Sequence, residues 1–141
     1  MIPRPYFESP IVMTTVRLVA PFALTYGIFV TLHGAGSPGG GFQGGVVITS
    51  VVIMIAFAFG VGPTLDWTDE RVVAGLFGGG ILAFGAVTLI TVPFGGSILR
   101  VDALPIPTKY AIEAVEVFIG GIVAGVVTSL FFLLSEGGEE E

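Results

Sequence analysis

The residues of this sequence that could do chemistry gather at two places. One is His33, the single histidine, which opens the stretch His33-Gly34-Ala35-Gly36-Ser37-Pro38-Gly39-Gly40-Gly41-Phe42-Gln43-Gly44-Gly45. The other is Lys109-Tyr110-x-x-Glu113-x-x-Glu116, at the head of the last apolar run. An imidazole changes charge near neutral pH, so His33 is a candidate for handling protons, and an interfacial histidine bonded to a backbone carbonyl is the alternative. Carboxylates at the edge of an apolar helix are costly unless paired, solvated or protonated. The spacing offers Glu113 an ordinary i, i+4 partner in Lys109, whereas Glu116, one turn deeper, reads as facing other helices in assembly or ion handling.

Glycine repeated beside a helix start resembles a phosphate cradle, but the stretch fails that test. A P-loop needs Lys and Ser/Thr after its last glycine, where this sequence has only Phe42-Gln43, and a dinucleotide fingerprint needs a preceding strand and a later acid. A tight connection between antiparallel helices is the simpler reading, since glycine permits unusual dihedrals and close approach. A bare turn needs only one or two glycines. The density here therefore implies that another backbone or an ion pathway packs against the hinge, with Ser37, Pro38, Phe42 and Gln43 as candidate pathway or interface positions beside His33, Glu113 and Glu116.

Other chemistries are excluded by composition. Without cysteine there is no disulfide, iron–sulfur cluster or thiolate zinc site, and one histidine cannot make a bis-histidine haem, so no cofactor and no metal site is expected. Five Lys and Arg, scattered along the chain, make no patch for nucleic acid. The net charge of −6 is local, because Glu136, Glu139, Glu140 and Glu141 close the sequence.

The elements that must hold these residues are membrane spans. Hydrophobic residues make up 53% of the 141 and charged ones 11%, with mean hydropathy +0.97, against roughly 25% charged in soluble domains. No Asp, Glu, Lys or Arg occurs from Leu18 to Leu65. The expectation is an all-α fold: an integral membrane bundle of four transmembrane helices in one domain over 1–135, with spans near 11–32, 42–61, 72–92 and 109–134 and a disordered acidic tail at 136–141. The first run is too long for the h-region of a signal peptide, so the N-terminus is taken as mature. Pro3, Pro5 and Pro10 shape an extended arm, with Ser9 capping the first helix and Pro10 at its first position. Pro21 implies a modest kink. Arg17, roughly 10 Å along that helix, snorkels to the headgroups or meets a buried ion partner.

Gly62 to Arg71 reads as an aqueous loop with Trp67 as interfacial anchor and Thr68 as the next cap, Arg71 standing in the capping-box position. Pro93 to Thr108 is too rich in proline and glycine for a continuous helix and reads as a re-entrant or surface loop. Gly75-x-x-x-Gly79 and Gly121-x-x-x-Gly125 are small-x-x-x-small faces expected to pack helices. Four crossings put both termini on one side, and the hinge with the lead-in to Glu113 and Glu116 on the other. Arg4, Arg17 and Arg71 outnumber Arg100 and Lys109, which favours a cytoplasmic N-terminus in a multi-pass plasma-membrane protein.

Taken together, the Pro5-x-x-x-x-Pro10 arm, the apolar first span, the His33 to Gly45 hinge and the Lys109 to Glu116 lead-in resemble the B subunit of Mrp-type (Mnh) sodium/proton antiporters. The resemblance runs over nearly the whole chain, and the hinge carries its specificity. It implies a small, non-catalytic accessory subunit of a hetero-oligomeric, complex I-related ion translocator. Its partners would be other membrane subunits of an antiporter or respiratory complex, the lipid bilayer, and sodium ions or protons passing through. Equivalent subunits occur in archaeal membrane-bound hydrogenases and sulfur reductases, so the larger machine stays open. Two other classes stand beside this one: a self-contained small four-span transporter, and a purely structural assembly subunit.

Overall fold

The computed structural model describes residues 9–95 and 97–137. It contains α1 (Pro10–Leu32), α2 (Gly41–Phe59), a short α3 (Val61–Trp67), α4 (Glu70–Ile90), a 3-10 turn (Val101–Ala103) and α5 (Thr108–Gly137). No strand occurs among the described residues, and α1, α2, α4 and α5 are each long and apolar enough to cross a membrane. Most of the expected N-terminal arm (1–8) and most of the acidic tail (138–141) lie outside the described residues.

Local chemistry explains the boundaries. Ser9 caps α1 by accepting from the Val12 N–H at 3.5 Å, and Pro10 occupies the first turn, where its missing donor costs nothing. Pro21 is carried inside α1. Gly60 separates α2 from α3 with φ 110 and ψ 145, a region essentially closed to residues with a Cβ. The connection expected to be wholly loop therefore holds the seven-residue α3, whose buried Thr64 donates to the Gly60 carbonyl at 2.6 Å. Asp69, not Thr68, caps α4, accepting from the Arg71 N–H at 2.8 Å; Thr68 is instead tied to the carbonyls of α3. The last helix runs further than its apolar pattern, through Ser135 and Glu136 to Gly137, since polar side chains at a helix end in water cost it nothing.

The long helices lie in the order α1, α2, α5, α4, with α2 and α5 between the outer two. Glycine and alanine set the spacing. On α2, Gly41 and Gly45 meet α5 at Gly120, and the buried Thr49 hydroxyl donates to the Ala124 carbonyl at 3.2 Å, so the two helices run parallel. On α1, Gly27 sits against Val47 and Ile48 and Thr31 against Gly44, the antiparallel contact that the hinge demands. Backbones this close gain dispersion energy that lipid tails do not offer, which is the main drive for helix association in a bilayer.

The glycine faces sort differently from their spacing. Gly121 and Gly125 do pack a helix: a Cβ on Gly125 would lie 2.9 Å from Phe77, and one on Gly121 would lie 3.3 Å from the Leu76 carbonyl of α4. Gly75 and Gly79, expected to let a neighbouring backbone come close, meet nothing within 4 Å among the described residues. Gly80 takes that place, its Cβ position 2.7 Å from Ile122 and 2.9 Å from the Phe118 carbonyl. One helix position rotates the side-chain direction by about 100°, enough to turn Gly79 outward while Gly80 faces in.

Non-helical chain between α4 and α5 is pinned by Thr91, fully buried, whose hydroxyl bonds the carbonyls of Thr88 and Ser97 at 3.0 Å each. Phe94, Ile98, Leu99 and Ile106 remain exposed on it. No buried side-chain nitrogen or oxygen among the described residues lacks a hydrogen-bond partner. The exposed large side chains are mostly the apolar ones of the four spans, as they must be where lipid is the solvent.

Candidate functional site at the glycine hinge

Glu116 is where the two chemistry-bearing stretches meet. It lies about 12 Å along α5 from Thr108 at 1.5 Å per residue, which brings it level with the first turn of α2. Its carboxylate accepts a hydrogen bond from the Gly41 backbone N–H, so a side chain of α5 caps α2. Gly40, the N-cap of α2, has no side chain to do so and adopts φ 134 and ψ 175, which a Cβ would forbid. An unpaired amide at a helix start carries partial positive charge, and a carboxylate there is favoured by the helix dipole as well as by the bond.

The hinge glycines are what let this carboxylate in. A Cβ on Gly34 would come within 3.1 Å of the Glu116 carboxyl carbon, and one on Gly40 within 2.9 Å of its Oε2. On Gly41 it would overlap the Glu116 carbonyl and on Gly44 the Thr31 hydroxyl. The density of glycine thus answers to another backbone packed against the turn. Gly36 is different: nothing lies within 4 Å of its Cβ position.

His33 follows the last residue of α1 and is exposed. Its ring stacks on Phe29, centroids 3.9 Å apart, and its Nδ1 lies 3.0 Å from the Phe29 carbonyl oxygen. A carbonyl can only accept, so Nδ1 holds the hydrogen and, in the neutral ring, Nε2 keeps a free lone pair. Ser37 donates its hydroxyl to the His33 carbonyl at 2.7 Å, closing the turn. His33, Ser37, Lys109 and Glu113, with Leu32 and Gly36, line an open cleft of about 280 Å³.

Within that cleft Lys109 and Glu113 make the expected i, i+4 pair at 3.7 Å. The lysine side chain is 70% exposed, so the pair contributes no more than about 0.3–0.5 kcal/mol. A charge-assisted bond such as that from Gly41 to Glu116 contributes about 1.5–3 kcal/mol. Glu113 is therefore loosely held and Glu116 firmly held.

Glu116 thus joins the hinge directly, and His33, Ser37 and Glu113 join one another through the cleft. Phe42 is 61% exposed and Pro38 is also exposed, and neither lines the cleft. Gln43 places its Oε1 beside Gly40 and is otherwise exposed. The arrangement places the hinge glycines Gly34 and Gly41 around the carboxylate, and it also uses a residue outside the expected set, buried Thr31, whose hydroxyl bonds the Gly27 carbonyl at 2.9 Å. Gly27-x-x-x-Thr31, a small-x-x-x-small pair leading into the hinge, was the available signal for the last.

Arg17, in the first half of α1, has no acidic partner among the described residues. Its guanidinium lies over the Phe59 ring, 5.1 Å from the centroid. Among the described residues no group of three or more His, Cys, Asp or Glu is placed to hold a metal ion.

A family model described as "Domain related to MnhB subunit of Na+/H+ antiporter" matches residues 11–132. The chain belongs to this family. The match runs from the start of α1 almost to the end of α5 and so includes the hinge, the cleft and Glu116. None of the curated proteins matches. Membership makes the chain a membrane protein of the Na+/H+ antiporter subunit class.

Proposed function

We propose that this MnhB-family chain is an accessory, non-catalytic subunit of a multisubunit Mrp-type sodium/proton antiporter module, and that it helps form and seal the ion pathway where α5 crosses the hinge. One observation carries the reading: a carboxylate, Glu116, is held among hinge glycines beside an open cleft whose polar groups are His33, Ser37, Lys109 and Glu113. Packed glycine excludes leaks. The cleft offers water or a cation a way toward the membrane edge, with a lone pair on His33 and a loosely held carboxylate on Glu113.

The chain crosses a plasma membrane several times with both termini on the cytoplasmic side, and its parent machine is either an antiporter or an ion-translocating oxidoreductase such as a membrane-bound hydrogenase or sulfur reductase. Support for dependence on partners comes from the spans, which hold no charged residue deep in the bilayer beyond those at the hinge level and Arg17. Co-purification of the native complex identifies the machine, as either antiporter subunits alone or hydrogenase or reductase subunits beside them.

A purely structural role is the second reading, and the bond from Gly41 to Glu116 favours it, since helix capping alone would explain a carboxylate there. Sodium-driven proton flux through the intact complex, measured for His33→Ala and Glu116→Gln separately, divides the two. Loss of flux with normal assembly supports the pathway, and unchanged flux with normal assembly supports the scaffold. An active homo-oligomeric transporter purified without other chains would defeat both.

A further inference from the structure

On the membrane side away from the hinge, a groove of about 240 Å³ opens where α3, α4 and α5 meet. Its walls are apolar, with Val73 and Phe77 from α4 and Phe132 and Leu133 from α5. Two carboxylates stand at its rim: Glu70, the first residue of α4, and Glu136, in the last turn of α5. Neither makes an ion pair among the described residues. The cations among the described residues are engaged elsewhere or lie outside the groove. Arg17 lies over Phe59, Arg100 pairs with Asp102, Lys109 pairs with Glu113, and Arg71, though next to Glu70 in sequence, does not line the groove.

We infer that this groove is the docking site for a transmembrane helix of a neighbouring subunit that carries a Lys or Arg at its end on this side. Charge complementarity decides the occupant. An apolar groove bordering lipid is filled by something, and a bare hydrocarbon face would leave two carboxylates at the mouth without a partner. A Lys or Arg side chain supplies an apolar stem to lie along Phe77 and Phe132 and a cationic head to reach Glu70 and Glu136. The outer helix α4 also has room for such a partner, since only 6% of its membrane window is buried within the chain. The inference rests on the reading of this chain as one subunit among several, and it concerns a surface remote from the hinge.

The absence of cysteine allows a direct test. Ala74→Cys, beside the groove, takes a thiol-directed benzophenone in the native complex, and the photo-adduct is mapped by mass spectrometry. Expected is an adduct on a helix of another subunit with Lys or Arg within one turn of the modified residue. Adding Glu70→Gln and Glu136→Gln together should then lower its yield about three- to tenfold, while the other subunits stay in the complex. An adduct on lipid alone, on a second copy of this chain, or on a helix with no basic residue nearby overturns the inference, as does a yield indifferent to the two substitutions. If the chain carries no other subunits at all, the reading as a subunit falls first, and that outcome is distinct from an intact complex with an adduct only on lipid.

Discussion

Replacing Gly41 by alanine should separate helices that Gly36→Ala leaves alone. In an isolated helix either change would gain up to about 1 kcal/mol from propensity. At Gly41 the new methyl overlaps the Glu116 carbonyl and sits 2.8 Å from the Gly120 nitrogen, so α2 and α5 must move apart. Overpacking of this kind costs about 1–3 kcal/mol. The movement also lengthens the bond from Gly41 to Glu116, itself about 1.5–3 kcal/mol. The penalties outweigh the gain, for a net loss of about 1.5–5 kcal/mol. At Gly36 there is no neighbour within 4 Å and no positive φ, so the change stays within about 0.5 kcal/mol. The two variants, purified in the same detergent, are compared by loss of helical circular dichroism with temperature. Equal melting of Gly41→Ala and Gly36→Ala would refute the close packing of the hinge on α5.

Other substitutions test separate contacts. Thr49→Val keeps the shape but removes the hydroxyl bonded to Ala124, and should cost about 0.6–1.5 kcal/mol in the same melting assay. Lys109→Ala breaks only an exposed i, i+4 pair, so stability should change by less than about 0.5 kcal/mol. Arg17→Gln removes a cation from the Phe59 face and should cost about 0.5–1 kcal/mol; a larger loss would point to an acidic partner that the structure does not show.

The four spans were legible because a bilayer demands about 20 apolar residues per helix and punctuates them with glycine, proline and charge. The meeting of the hinge with Glu116 was partly legible, since parity puts both on one side. Their contact was not, because which face of a uniformly apolar helix turns inward leaves little mark on its sequence. Nor does the sequence say that, within this chain, Gly80 is the α4 glycine that touches α5. Short α3 escaped because Gly60, Gly62 and Pro63 read as loop residues, although proline is well tolerated in a first helical turn. The cap moved from Thr68 to Asp69 because Thr68 is already bonded back to α3. That Glu116 would end as a cap for α2 was hidden, since Gly40 gives no hint of where its missing side chain is replaced.

The most direct measurement is sodium-driven proton flux through the intact complex carrying Glu116→Gln. Glutamine can still accept from the Gly41 N–H, so assembly should be preserved while the ionisable group is lost. Expected is a fall in flux of tenfold or more, on the order of 1.4 kcal/mol or above, with every subunit present at its normal level. Full flux in a normally assembled complex would contradict a pathway through Glu116 and leave the hinge as a structural joint.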